Sequence, residues 1–246
     1  MASVPDHHHP TLSPLRKWLR FVDKHIDKEG LECLKLALYT EIRYSEVSKL
    51  ADLKPSQLFS ALESVQNTEN PKEAALQKFV YCLKSIGASL RGKWCVSRIK
   101  KYRVSEVDPL DTKAQTSEFR FSNQCLLKIY RCIRKTESEE ELKRYFGKEK
   151  ILDENYRNFD STPNMFILLL QQRQITPDDQ TLLIKALKEC KAKHCLIYVK
   201  KYRRESGLRD LQELEKEFPD DEGDIVQAII FNSTYYYIPD FGAFSV

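Results

Sequence analysis

Three residues in the stretch KECKAKHC have side chains that could ligate a metal ion: Cys190, His194 and Cys195. Thiolate sulfur and imidazole nitrogen are preferred ligands of Zn²⁺. The sequence offers no second ligand pair at a plausible spacing, however, and Cys195 falls on an apolar stripe, so the pattern argues against zinc. A run of histidines, His7 to His9, lies in an N-terminal segment expected to be flexible, where metal binding would be adventitious. We therefore expect no metal and no other cofactor.

The seven cysteines are an odd number without a CxxC pair, which is typical of buried, small apolar residues in a reducing compartment. The sequence contains no GxGxxG, P-loop, HExxH or GxSxG pattern. Carboxylates are abundant, but the sequence alone pairs none of them with a general base. We expect a protein without enzymatic activity.

A basic, cysteine-bearing segment occurs twice, as KWCVSRIKKYR at 93–103 and as KHCLIYVKKYR at 193–203. On a helix, the cysteine and the aliphatic residues share one face, which predicts a half-buried stripe made of Cys95, Val96, Ile99, Cys195, Leu196 and Val199. The basic residues then remain on or near the solvent side: Lys93, Arg98, Lys100, Lys101, Arg103, Lys193, Lys200, Lys201 and Arg203. This basic face has three interpretations: a solvated surface with cations near a helix C-terminus, a nucleic-acid contact, or a protein contact.

The composition bounds the class of protein that carries these segments. Among 246 residues, 41% are hydrophobic and only 7 are glycine, and helix formers dominate, so we expect a soluble and mostly helical chain. The net charge of +4 is too small to make the whole chain a polyanion binder. The longest obvious apolar run, MFILLL at 165–170, is far shorter than the roughly 20 residues that span a bilayer. The N-terminus lacks a signal-peptide core, so we expect a cytoplasmic protein, with the nucleus as an alternative.

Proline and capping residues mark the expected helix starts in the first half. Ser13-Pro14 opens the first helix, Leu31 to Leu38 lie on the second, a short third covers about 44–53, and Pro55 opens the fourth. The sequence Asn70-Pro71-Lys72-Glu73 resembles a capping box and opens the fifth helix. The segment at 93–103 is the sixth, so six short amphipathic helices would form one compact bundle.

The second half repeats this order of elements. Its first helix is marked by Leu126, Ile129, Tyr130 and Ile133, its second covers 137–146, and a weak third follows. The pair Thr162-Pro163 opens the fourth helix, and the capping box at 176–179 leads to the fifth. The chain is therefore divided into a flexible N-terminus at 1–12, a first domain at 13–105, a connector at 106–118, a second domain at 119–205 and a tail at 206–246. The tail is acidic first and aromatic afterwards, and either packs on the second domain or docks elsewhere.

The ordered set of these elements resembles the death effector domain, present twice. The fourth helices read SQLFSALE at 56–63 and PNMFILLL in the second copy, each with x-[LM]-F-x-x-L. The segments QQRQITPDDQTLLIKALKEC at 171–190 and LKRYFGKE at 142–149 look like the second such domain of initiator caspases and of FLICE-like inhibitory proteins. The resemblance covers about 13–105 and 119–205, and implies an all-α fold of two six-helix death-fold bundles in tandem, plus the C-terminal tail.

One family feature is degenerate in this chain. The sixth helix of the family usually begins R-x-D-L, whose Arg and Asp pair with an acidic residue of the second helix, but this sequence reads RGKW and KAKH there. Arg91 matches the family's arginine, and Lys191 substitutes for it only in part. The resemblance places the acidic partner near Glu29 or Glu32 in the first copy and near Glu139 or Glu140 in the second.

Unlike charges on the two domains favour protein recognition over nucleic-acid binding. The acidic run ESEEE at 137–141 is opposite in sign to the sixth helices, so copies could dock head to tail in a chain that does not close. Leu36 and Tyr145 are the expected apolar anchors, because they lie near the family's exposed hydrophobic patch. The interface candidates are Leu36, Arg91, Lys100, Lys101, Arg103, Glu139, Glu140, Tyr145, Lys200, Lys201 and Arg203.

The resemblance implies a non-catalytic adaptor or regulator that binds other death effector domains, in adaptors and initiator-caspase prodomains, and modulates caspase assembly and apoptosis. Self-association is also expected, through the same helix faces. Two alternatives remain at this point: a basic helical module that binds nucleic acid, and a protein scaffold unrelated to cell death.

Overall fold

The structure is a computed structural model that describes residues 12–42, 53–104, 115–148 and 161–208. These residues form an all-α protein: helices dominate, and no strand occurs among them. Within the same ranges, no helix combines the length and the apolar character that crossing a bilayer requires. The all-α fold class expected from the sequence is therefore confirmed. The expected third helix at about 44–53 lies almost wholly outside the described residues, as do the tail beyond 208, most of the connector and the third element of the second copy.

The chain divides into two compact units, Met1–Asn123 (unit 1) and Gln124–Val246 (unit 2). In unit 1, α4 contacts α2, α3 and α5, and α1 contacts α3 and α5. The short α6 packs on α2, and belongs to unit 1 although the sequence assigns residues from 119 onward to the second domain. The helices of unit 1 are α1 (Pro14–His25), α2 (Lys28–Ile42), α3 (Pro55–Ser64), α4 (Pro71–Ile86), α5 (Gly92–Ser97) and α6 (Ser117–Arg120).

A π-helical segment, Phe121–Leu126, contains the boundary between the two units. In unit 2, α7 contacts α8 and α9, and α10 contacts both α8 and α11. The helices of unit 2 are α7 (Leu127–Ile133), α8 (Glu137–Lys148), α9 (Thr162–Gln171), α10 (Thr181–Glu189) and α11 (Leu196–Glu205).

Proline placement predicted the starts of four helices correctly. Helices α1, α3, α4 and α9 each carry proline in the first or second position, where its missing N–H costs no hydrogen bond. Asn70 caps α4, since its Oδ1 accepts from the Glu73 amide at 3.4 Å.

The capping box expected at 176–179 is wrong, because α10 begins only at Thr181. Thr176 instead closes a turn of its own, in which its Oγ1 accepts from the Asp179 amide at 2.9 Å. The Asp179 carboxylate then accepts from the Thr181 amide at 2.9 Å. The hydrogen bond from the Thr181 backbone, followed by one from the Thr181 side chain, lowers the pKa of Asp179.

Each unit surrounds its own apolar core. In unit 1, Trp18 and Phe59 both meet Phe79 edge to face, with ring centroids 6.2 and 5.6 Å away. The Trp18 indole N–H donates to the Cys95 carbonyl at 3.0 Å, which ties α1 to α5. In unit 2, all helices contribute fully or nearly fully buried side chains, among them Ile129, Phe146, Phe166, Leu187 and Val199.

The twin segments adopt different helical geometries although their sequences match. In unit 1, α5 ends at Ser97 and a 3₁₀ turn, Lys100–Tyr102, follows; in unit 2, a 3₁₀ turn, Lys193–Cys195, comes first and α11 follows. The entry to both segments is nevertheless the same, because Arg91 (φ 59°) and Lys191 (φ 54°) both have left-handed backbone conformations.

Candidate protein interface and a cysteine–histidine cluster

The interface candidates in and next to the twin segment of unit 1 are exposed. Arg91, Lys100, Lys101 and Arg103 all lie on the surface, at or near the ends of short helical segments. The apolar stripe predicted for this segment is present but uneven. Cys95 is fully buried, whereas Val96 and Ile99 are half-buried because the helix stops at Ser97.

Beside these cations lies a partly exposed cluster of rings, which sequence reasoning did not single out. Phe21 on α1 stacks on Trp94 of α5 and on Tyr102, with centroid distances of 5.0 and 5.4 Å. His25 adds a fourth ring 4.2 Å from Phe21, and the Arg98 guanidinium lies 5.5 Å above the Trp94 ring. Trp94 is 38% exposed, which is unusual for so large an apolar side chain. We call Phe21, His25, Trp94, Arg98 and Tyr102 the aromatic patch.

In unit 2, the expectation that Arg203 faces solvent is wrong. Its guanidinium is buried and Nη1 donates to Gln180 Oε1 at 2.5 Å, while Gln180 Nε2 donates to the Thr176 carbonyl at 2.9 Å. Arg203 therefore holds the turn before α10 in place, as buried polar groups normally require hydrogen-bonding partners. Lys201 is exposed, 3.7 Å from Glu205, and Lys200 is half-buried.

The acidic run at the start of α8 also divides into structural and exposed members. Glu139 is largely covered: it accepts from the Lys135 amide at 2.8 Å and from the Thr162 hydroxyl at 2.9 Å, which anchors α8 to α9. Glu140 remains 68% exposed and pairs with Lys143 at 2.9 Å. Carboxylates at a helix N-terminus also interact favourably with the helix dipole, so part of this charge serves the fold.

The two apolar anchors expected on the second helices differ in their exposure to solvent. Leu36 is fully buried, because α2 is covered on all sides between Glu32 and Leu38, so Leu36 is not an exposed anchor. Tyr145 on α8 is half-buried, with its ring edge to face with Phe146 at 5.3 Å.

The acidic partners expected for Arg91 and Lys191 also differ from the family pattern. Glu32 is buried and pairs with Lys35 on its own helix at 2.9 Å. Lys191 pairs with Glu141 at 3.5 Å, one position beyond the expected acidic residues. A contact between the second helix and the start of the sixth segment therefore exists in unit 2, with lysine in place of arginine.

A cluster of metal-ligand side chains lies in unit 2, and it differs from the set considered in the sequence. The sulfur atoms of Cys132 and Cys195 and a ring nitrogen of His194 all lie within 4.8 Å of one another. Cys132 comes from α7, near its C-terminal end, while His194 and Cys195 come from the 3₁₀ turn that contacts α7. Cys190 is buried elsewhere, so the set drawn from KECKAKHC contained two of the three clustered residues and missed Cys132.

The surroundings of Cys132 favour its thiolate form. Hydrogen bonding from the Cys195 thiol has the largest effect, and hydrogen bonds from His194 and Tyr198 act in the same direction, against the opposing effect of burial. Together they lower the pKa of Cys132 to about 5. The same pairing, with burial, raises the pKa of Cys195.

Cys132 is therefore expected to be the most reactive thiol of the described residues at neutral pH. With a chelator present, alkylation by iodoacetamide should reach half its maximal rate near pH 5, because the thiolate is the nucleophile. Burial raises the pKa of Cys95, the counterpart of Cys195 in unit 1, to about 11, so Cys95 should remain unmodified and serves as the internal control. Peptide mass spectrometry across pH 4–9 would measure both rates. A midpoint near the ordinary cysteine pKa of about 8.5 would contradict the prediction.

The cluster occupies the position that the aromatic patch holds in unit 1. Leu15, Trp18, Leu19 and Val22 on α1 have the same spacing as Leu126, Ile129, Tyr130 and Ile133, and all eight are buried. In this register Cys132 corresponds to Phe21, and the twin segments match His194 with Trp94 and Tyr198 with Arg98. The same joint between the first helix and the sixth segment is thus aromatic in one copy and made of metal-ligand groups in the other.

The described residues thus define a class: an all-α protein with two compact units, a repeated basic segment and one cysteine–histidine cluster. Comparison with known proteins adds no family to this class. No protein-family model, no curated protein and no solved structure matches the chain.

Proposed function

We propose that the chain is a non-catalytic adaptor or regulator with two death-effector-like bundles, which binds other death effector domains and modulates initiator-caspase assembly. The observation that carries the proposal is the aromatic patch with exposed cations around it. A partly exposed tryptophan under an arginine is the composition of a binding hot spot, where aromatic and arginine side chains supply most of the affinity. The sequence resemblance supplies the class of partner.

The charges around the patch support recognition of an acidic helical surface. Lys100, Lys101 and Arg103 are exposed at one end of unit 1, and Glu137 and Glu140 are exposed on α8 of unit 2. Complementary charge accelerates encounter and fixes register, while the rings supply the apolar area. Because the two surfaces are different, contact between copies of the chain would be heterologous and would extend rather than close.

Reversing the charge of Lys100 and Lys101 to glutamate is expected to weaken binding to an initiator-caspase prodomain by about tenfold or more, mainly through the association rate. Co-precipitation and surface binding kinetics would measure the loss. The matched control reverses Lys72 and Lys84, two exposed lysines of α4 in the same unit, and should leave binding within about twofold.

The same variants distinguish the proposal from nucleic-acid binding, the alternative that an exposed tryptophan among cations also favours. Retention on heparin and on single-stranded DNA is measured in parallel. If charge reversal abolishes retention and leaves prodomain binding intact, the nucleic-acid module is correct and the adaptor proposal is wrong. Gel filtration over a wide concentration range tests self-association, and a strict monomer at high concentration would contradict the head-to-tail contact.

A further inference from the structure

We propose that Cys132, His194 and Cys195 form a zinc site in unit 2. Two thiol sulfurs and one imidazole nitrogen already lie within 4.8 Å of one another, on two elements that pack together. Zn–S bonds of about 2.3 Å and Zn–N bonds of about 2.0 Å place the ligand atoms of a tetrahedral site about 3.5–3.8 Å apart. The ligand atoms therefore need to approach one another by about 1.3 Å at most, a distance that small side-chain rotations can supply.

The donor set selects the metal. Sulfur and imidazole ligands favour zinc over magnesium or calcium, which take oxygen ligands. Neither Cys132 nor Cys195 is in a disulfide, so both sulfurs are available. Three protein ligands leave a fourth tetrahedral position for water, as in zinc sites of the Cys₂His type.

The position of the cluster in the fold supports a built site rather than a chance meeting of side chains. In unit 1 the corresponding residues, Phe21 and Trp94, also face each other, with ring centroids 5.0 Å apart. The fold therefore brings these two positions together in both copies, whatever their residue types. In unit 2 the pair is Cys132 and His194. The third ligand is Cys195, which is buried like its counterpart Cys95 in unit 1.

Zinc bound here would link α7 to the 3₁₀ turn that leads directly into α11. Since metal binding to the folded state stabilises it by mass action, unit 2 would be more stable with zinc than without it. This inference is independent of the proposed partner, because it concerns only side chains within unit 2.

The experiment uses the full chain under reducing conditions, with His7, His8 and His9 replaced by alanine in every protein so that the N-terminal histidines bind no metal. Titration with Co²⁺, a spectroscopic substitute for zinc, is expected to give visible bands of tetrahedral cobalt and near-ultraviolet thiolate-to-cobalt absorption, saturating at one ion per chain. Added Zn²⁺ should remove both signals. Zinc should also raise the melting temperature and slow hydrogen exchange in peptides of α7 and α11.

Two variants of the proposed ligands and one control test the site. Cys132→Ser is expected to remove the thiolate-to-cobalt absorption at equimolar cobalt, because Cys195 and His194 alone would bind the ion too weakly. His194→Gln should weaken binding by more than about 100-fold, because loss of a direct ligand exceeds the cost of outer-shell changes. The matched control Cys95→Ser alters the equivalent buried cysteine of unit 1 and should bind cobalt like the parent. Circular dichroism confirms that each variant is helical. A parent without thiolate-to-cobalt absorption, or a folded Cys132→Ser variant that retains it, would overturn the zinc site.

Discussion

Trp18→Ala is expected to destabilise unit 1 by about 4 kcal/mol, because replacing a fully buried aromatic side chain by alanine costs roughly 3–5 kcal/mol. The variant loses the edge-to-face contact with Phe79 and leaves the Cys95 carbonyl without its indole donor. Such a loss is a large fraction of the roughly 5–15 kcal/mol that stabilises a domain. Hydrogen exchange followed by mass spectrometry would show faster exchange in peptides of α1, α4 and α5.

The conservative variant Trp18→Phe separates packing from the hydrogen bond. Phenylalanine retains most of the apolar contact with Phe79 but has no donor for the Cys95 carbonyl, so its expected cost is about 1–2 kcal/mol. Equal exchange rates in the two variants would contradict the view that ring volume dominates this site.

Gly92→Ala is expected to destabilise unit 1 by about 3 kcal/mol, at the upper end of the usual cost of overpacking. A Cβ atom at this position would lie 2.0 Å from the Leu83 carbonyl oxygen and 2.5 Å from Ile86 Cγ1, so backbone must move to admit it. Chemical denaturation followed by tryptophan fluorescence measures the effect on unit 1 alone, since both tryptophans of the chain, Trp18 and Trp94, lie there.

Gly30→Ala is the matched control in the same unit. Its Cβ would lie 3.1 Å from Asp27 Oδ1 and Ile26 Cγ2 and 3.3 Å from the Leu90 carbonyl oxygen, so shifts of a few tenths of an ångström relieve contacts that are far less close than those at Gly92. Alanine also favours the helix by about 0.5–1 kcal/mol relative to glycine, so the net change should stay below about 1 kcal/mol. A control as destabilised as Gly92→Ala would mean that the close approach at Gly92 is not the cause.

Local rules predicted the features that depend on a few neighbouring residues. The proline-marked starts of α1, α3, α4 and α9 follow from one residue and its preceding cap, and the apolar spacing of α7 gave its buried face correctly. The same local reasoning failed at Thr176, because a threonine that closes a turn has the same sequence pattern as one that caps a helix.

Features that depend on partners distant in the sequence could not be predicted this way. A helical projection places Arg203 among solvent-facing cations, but Gln180 lies against it in the folded unit and accepts its hydrogen bond. The family resemblance placed Leu36 near an exposed hydrophobic patch, whereas α2 is covered by other helices and Leu36 is fully buried. The cysteine–histidine cluster includes Cys132 from α7, which approaches His194 only through tertiary packing. The sequence contains no ligand-spacing motif that links these two residues.

The two units have different residues at matching positions: Phe21 and Trp94 in unit 1, Cys132 and His194 in unit 2. The units should therefore differ in their sensitivity to their surroundings. The packed Phe21 and Trp94 rings carry no group that titrates near neutral pH and no metal ligand, whereas imidazole responds to acid, thiols respond to oxidants, and both bind metal ions. Unit 1 therefore has a chemically inert joint at these positions, whereas the joint of unit 2 would be loosened or tightened by the state of its sulfur and imidazole groups. An oxidant or a chelator would thus change the rigidity of the Cys132–His194 joint and leave the Phe21–Trp94 joint unchanged.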